Sequence, residues 1–209
     1  MDSIKTSLSL NKKIALVGAL GALTVLLGIT PLGFIRLPWG LAITLLHIPT
    51  ILGTLIAGWP AGMGIGAIFG IFSMIQAASN PVGLDALFVN PLIAILPRLV
   101  LGPATALVFS VLNKIKSIPK SVSACISAVM VTLLHTVCVS LALYCFAGVQ
   151  VTQLMNDAGL GAFILLLLPN ATAEAIAAGL VCGTIVGIMN AAKGKKSRLS
   201  QELEQEEVK

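Results

Sequence analysis

Charge is what this sequence has least of. Only 10% of its 209 residues are Asp, Glu, Lys or Arg, against about 25% in ordinary soluble domains. So few charges cannot cover the surface of a soluble domain. Histidine is nearly absent as well: His47 and His135 are the only two, and their separation has no metal-ligand spacing. The four cysteines, Cys125, Cys138, Cys145 and Cys182, form no CxxC pair and lie in apolar runs, where cysteine behaves as a small hydrophobe. There is no HExxH, no GxSxG and no clustered carboxylate pair. An enzyme, a bound metal and a resident cofactor therefore have no support, and nothing points to a nucleic-acid partner.

What remains is apolar. The hydrophobic share is 57% and the mean hydropathy +1.01. Runs of about 20 such residues span a bilayer. The pattern predicts an all-α integral membrane protein with six spans, at 13–31, 40–58, 61–78, 91–112, 121–147 and 161–191. Residues 1–192 form one six-helix domain, and 193–209 form a charged tail expected to fray. With six spans both termini share a side with the 58–61 turn and the 113–120 loop. That side holds Lys5, Lys12, Lys13, Lys114, Lys116, Lys120, Lys193, Lys195, Lys196, Arg198 and Lys209. The positive-inside rule then makes both termini cytoplasmic and the protein a multi-pass cell-membrane protein in contact with lipid. The three outer loops, "PLGFIRLPW", "ASNPVGLDALFVN" and "AGVQVTQLMNDAGLG", carry most of the polar variety and suggest a pocket open to the outside.

Small residues recur four apart: Gly58, Gly62, Gly66 and Gly70, then Gly179, Gly183 and Gly187, and the pair Ala15 and Ala19. Such rows let helices approach closely in lipid. The first two suit internal packing; the third could equally dock a partner helix. "GKKS" at 194–197 lacks the leading glycine and strand of a Walker A loop. The Asn-Pro pairs at 80 and 90 lie too close together to build the paired half-helices of a water channel.

Polar residues inside the spans are few. Arg98 lies roughly 10 Å below the outer edge of the core at about 1.5 Å per residue. An arginine at the bilayer centre costs about 2.5–3.5 kcal/mol on insertion scales. It could snorkel, pair with Glu174, or bind a ligand. Asn170 and Glu174 share a face of the last span, where Pro169 is expected to break the helix. His135 lies deep in span five, His47 precedes Pro49, Asn90 opens span four, and Trp39 sits at the outer interface. One cation, one carboxylate, amides and imidazoles suit a small anionic ligand with hydroxyl or amide groups. The chain is also small for transport by alternating access on its own.

Two stretches, "LPWGLAITLLHIPTILGTLIAGWPAGMGIGAIFGIFSMIQA" (37–77) and "ILPRLVLGP" (95–103), resemble the S components of energy-coupling factor (ECF) vitamin transporters. The resemblance covers a His-x-Pro helix, a Gly-Pro-type turn that here reads Gly-Trp-Pro, and a glycine-rich helix. The "ALVGA" of span one is similar to the family's AxxxA face, which puts Ala15 and Ala19 against the transmembrane coupling subunit. The resemblance implies a non-enzymatic subunit that captures a vitamin outside, then topples on a module of that subunit and two ATPases. "GFIRLPWG" departs from the acidic stretch of the riboflavin branch. Pro-Arg in span four looks most like the pantothenate branch, with Arg98 for the carboxylate and Asn170, Glu174, His135, His47, Asn90 and Trp39 around it. Folate, biotin, niacin, cobalamin and riboflavin stay open as substrates. An intramembrane enzyme or a purely structural membrane protein are the remaining alternatives.

Overall fold

The computed structural model describes residues 8–30, 33–36, 42–79, 81, 83–154 and 159–207. Lys5, Trp39, Asp157 and Lys209 lie outside the described residues. Helix α1 (Leu10–Ile29) leads to a hairpin of two three-residue strands, β1 (Phe34–Arg36) and β2 (Ala42–Thr44), paired antiparallel. There follow α2 (Ile48–Ala57), α3 (Trp59–Ser79), a 3-10 segment (Gly83–Val89), α4 (Pro91–Ala94), α5 (Leu96–Leu112), α6 (Lys120–Leu154) and α7 (Leu160–Glu207). Among the described residues five stretches are long and apolar enough to cross a membrane: α1, α3, α4 with α5, α6 and α7. Their outward sides carry Leu10, Ile14, Leu107, Leu165 and Ile188, all well exposed, as helices facing lipid do.

The expected second span, 40–58, is corrected. Residues 42–47 of it are strand β2 and a turn, and its helix has only 10 residues. At about 1.5 Å per residue that helix is roughly 15 Å long, half a bilayer core. Pro49 sits in the first turn and pre-sets the start of α2, with His47 as N-cap. Nine residues of α2 are buried, and it packs on α1, α3, α5, α6 and α7. This 10-residue helix thus sits among five longer ones. It ends at Gly58, whose φ of 91° only glycine adopts without strain; α3 begins at the next residue.

Span four is broken between α4 and α5 at Ile95. The other boundaries shift too. Pro169 does not break α7, and that helix continues to Glu207, so residues 193–207 of the tail are helical. The loop between α6 and α7 is shorter than expected, because α6 re-aims at Ala147 (φ −145°, ψ 29°) and runs on to Leu154. The reason is apolar: Ala147 and Val151 bury against Ile93, Leu143 and Phe163. Cys182 is buried as expected, but Cys145 is exposed.

The glycine rows are contact surfaces. A methyl group on Gly66 would overlap the Arg98 carbonyl, and one on Gly70 would sit 2.8 Å from the Ile95 Cα. One on Gly102 would meet the Trp59 carbonyl at 2.9 Å. Helices α3 and α5 therefore touch backbone to backbone. In the same way Gly179 and Gly183 of α7 lie on Cys125 of α6. Gly66→Ala should overpack this contact, at a cost of about 1–3 kcal/mol, and lower the thermal midpoint in detergent. Gly18→Ala, with nothing within 4 Å, should leave it unchanged or raise it, because alanine favours a helix interior over glycine by about 1 kcal/mol. Equal effects from the two would contradict the packing argument.

Candidate functional site

The site starts from Pro97. In an unbroken helix residue 97 would donate its N–H to the carbonyl of Ile93, but proline has none. The Arg98 side chain fills the vacancy: its Nη1 donates to the Ile93 carbonyl at 2.9 Å. The guanidinium lies over the rings of Phe69 (5.2 Å) on α3 and Phe88 (4.7 Å) in the 3-10 segment. Arg98 is only 6% exposed, and its Nε is buried without a partner. Among the described residues no carboxylate pairs with it. A desolvated cation–π contact is worth about 2 kcal/mol and a hydrogen bond from a charged group about 1.5–3 kcal/mol. Together these are comparable to the insertion cost of an arginine, so the cation is held without a counter-charge.

Imidazoles come next to it. The ring of His135, on α6, stands 6.3 Å from Phe69 and 6.2 Å from His47, nearly parallel to the latter at 24°. His47 is 1% exposed. Thr50 follows His47 by three residues and Thr132 precedes His135 by three, so each pair shares a helix face. His47 Nε2 and His135 Nε2 are buried with no hydrogen-bond partner, and so are Thr50 Oγ1 and Thr132 Oγ1, each one helical turn along from its histidine. Buried polar atoms are normally satisfied, so the unsatisfied imidazole nitrogens near a buried cation make this a candidate site for a polar ligand.

The structure brings Arg98, His47 and His135 together. Glu174 does not reach Arg98; its Oε1 accepts the backbone N–H of Thr44 at 2.5 Å, across 130 residues of sequence. Asn170 lies one turn before it on α7, half-buried. Asn90 is a helix cap: its Oδ1 accepts the N–H of Leu92 at 3.0 Å, which fixes the start of α4. Trp39 is outside the described residues. Sequence reasoning passed over Phe69, Phe88, Thr50, Thr132 and Thr44. The spacing of three from each histidine was the available signal for the threonines. Phe69 stands between Gly66 and Gly70, where only packing was expected.

Residues 12–192 match the family described as ECF transporter, substrate-specific component. The chain belongs to that family. No curated protein matched the sequence. Membership makes the chain a substrate-specific subunit of an ECF transporter, a multi-pass membrane protein that binds a small substrate and associates with ECF module subunits. Two features of this ECF subunit now stand side by side. One is the cluster around Arg98. The other is α1, whose Ala15, Gly18 and Ala19 are exposed, while Gly21 and Gly28 on its other side press on Ile68 and Phe72 of α3.

Phe88→Leu keeps an apolar side chain but removes the ring. It should cost about 0.5–2 kcal/mol of unfolding free energy when Arg98 is present and less in an Arg98→Met background. A double-mutant cycle by thermal unfolding reads the difference. Identical costs in both backgrounds would show that Phe88 acts by volume alone.

Proposed function

We propose that this ECF subunit captures a small carboxylate vitamin, with pantothenate the best fit. The observation that carries the reading is the buried Arg98 with a free Nε and no acidic partner among the described residues. A ligand carboxylate supplies the missing acceptor. The unsatisfied atoms of His47, Thr50, Thr132 and His135 suit hydroxyl and amide groups, which pantothenate has. A cationic vitamin would meet Arg98 with like charge, and no carboxylate among the described residues of the cluster would compensate.

In this reading the chain crosses the cell membrane six times, the short α2 completing its pass through the hairpin, and both termini are cytoplasmic. The vitamin enters from the outer side, near the 3-10 segment that carries Phe88. The loaded subunit topples on a transmembrane coupling subunit driven by two ATPases. The exposed small face of α1, with Ala15 and Ala19, docks that subunit, because small side chains permit close helix approach in lipid.

Arg98→Ala should weaken pantothenate binding at least about tenfold, since a hydrogen bond to a charged group is worth about 1.5–3 kcal/mol. Titration calorimetry in detergent measures it; unchanged affinity would rule out Arg98 as the carboxylate anchor. Ala15→Trp should prevent co-purification with the coupling module yet leave vitamin affinity within about twofold, because the two sites share no residue and distant effects are independent. An intact complex would refute the docking face.

A further inference from the structure

One end of the bundle collects the positive charge, and the glycine contacts show which end. Gly64 lies on Val17, Gly21 on Ile68 and Gly28 on Phe72, so α1 and α3 run in the same direction. Gly62 meets Gly102, Gly66 meets Arg98 and Gly70 meets Ile95, so α5 runs back. Gly179 and Gly183 lie on Cys125, and Gly187 on Ser121, so α7 runs back against α6. The starts of α1, α3 and α6, the exit of α7 and the connection from α5 to α6 therefore share one end. That end carries Lys12, Lys13, Lys114, Lys116, Lys120, Lys193, Lys195, Lys196 and Arg198. Among the described residues there, acid enters only from Glu202 onward.

Two apolar side chains set the level of this end. Trp59, the first residue of α3, is 52% exposed, and tryptophan gathers where hydrocarbon meets headgroups. Ile115 is 48% exposed between Lys114 and Lys116, which are exposed too, as is Lys120. At a membrane surface such an isoleucine enters the acyl boundary while the flanking ammonium groups stay with the phosphates. Helix α7 brings more cations to the same place. A methyl on Gly187 would sit 3.5 Å from the Ser121 Cβ, so α7 leaves the bundle beside the start of α6. Lys193 lies roughly 9 Å farther along its axis, and Lys193 and Lys195 are exposed. A methyl on Gly194 would meet nothing within 4 Å, so no described part of the chain covers this turn. The acidic run at 202–207 is centred roughly 14 Å beyond Lys195, past the ~8 Å screening length of physiological salt.

We propose that residues 114–120 and the exit of α7 form a seat for an anionic phospholipid, its headgroup among Lys114, Lys116, Lys120, Lys193 and Lys195 and its acyl chains beside Ile115. Positive charge alone would equally suit a free phosphate or an acidic protein surface. The exposed Ile115 and Trp59 decide for lipid, because only lipid offers hydrocarbon next to the anion. A zwitterionic lipid brings its own ammonium group, which the lysines repel, so the net-anionic headgroup is preferred. Arg98 lies near the other end of α5, so the seat stands whatever that residue binds.

The chain has two tryptophans, so Trp39→Phe and Trp59→Phe combined with Ile115→Trp give a full-length protein with one fluorescent reporter between the lysines. In vesicles, phosphatidylglycerol and phosphatidylcholine with brominated chains quench that reporter according to how often each lies beside it. Phosphatidylglycerol should be favoured at least about fivefold, the preference that one lysine near an anionic surface supports. At about 1 M salt, where the screening length falls to ~3 Å, most of that preference should vanish. Neutralising either set, Lys114→Gln with Lys116→Gln and Lys120→Gln, or Lys193→Gln with Lys195→Gln and Lys196→Gln, should lower it at least about twofold. Equal quenching by the two lipids at low salt overturns the proposal and leaves the lysines to a protein partner or to topology. A preference indifferent to salt, or to either set of substitutions, overturns it as well. So does one abolished by excess soluble glycerophosphoglycerol, which would mark a site for a free phosphate. The lipid comparison and the salt titration need no lysine variant, so they decide even where a variant fails to fold.

Discussion

A buried positive charge with no negative partner among the described residues is the constraint around which this bundle is arranged. Arg98 keeps its charge at any physiological pH, so the protein must hold it by other means. Three local features do so. Pro97 leaves the Ile93 carbonyl free for Nη1. Gly66 lets α3 settle on the Arg98 backbone, which brings Phe69 under the guanidinium. The 3-10 segment lays Phe88 over the other side. Remove any one and the cation loses a contact that water cannot replace. The same arrangement leaves Nε unsatisfied, and that atom is the one the proposed carboxylate would meet.

The second constraint is the shortness of α2. A helix of 10 residues cannot cross a bilayer core alone, and its N-terminal end lies inside the protein, where His47 serves as N-cap. The hairpin brings Thr44 to that end, and Glu174 on α7 secures it. Loop, central helix and last helix therefore meet at the site. Glu174 acts there by holding backbone in place, which a carboxylate can do strongly as a charged acceptor.

Much of the fold was legible because lipid imposes a simple rule on sequence. The apolar runs of α1, α3, α5, α6 and α7 stand out by length, and the glycine rows told which helices press together. Arg98 stood out as a lone cation in an apolar run. Residues 42–58 misled, since "AIT" in β2 is as apolar as the helix after it and hydropathy does not separate the two. Glu174 misled for another reason. Its partner is a backbone N–H 130 residues away, and no side-chain pattern encodes a backbone partner. Asn90 reads equally as ligand group or cap until the Leu92 N–H is seen on its Oδ1. The histidines were visible, but their near-parallel meeting required the positions of α2 and α6 together.

The central claim is that an uncompensated buried arginine awaits an acid. Native mass spectrometry of the subunit purified gently from its own membranes tests it most directly, because it identifies whatever occupies the bundle. The account predicts release of a small carboxylic acid of vitamin size, carrying a hydroxyl or amide N–H. A cationic or neutral compound released in stoichiometric amount would contradict it.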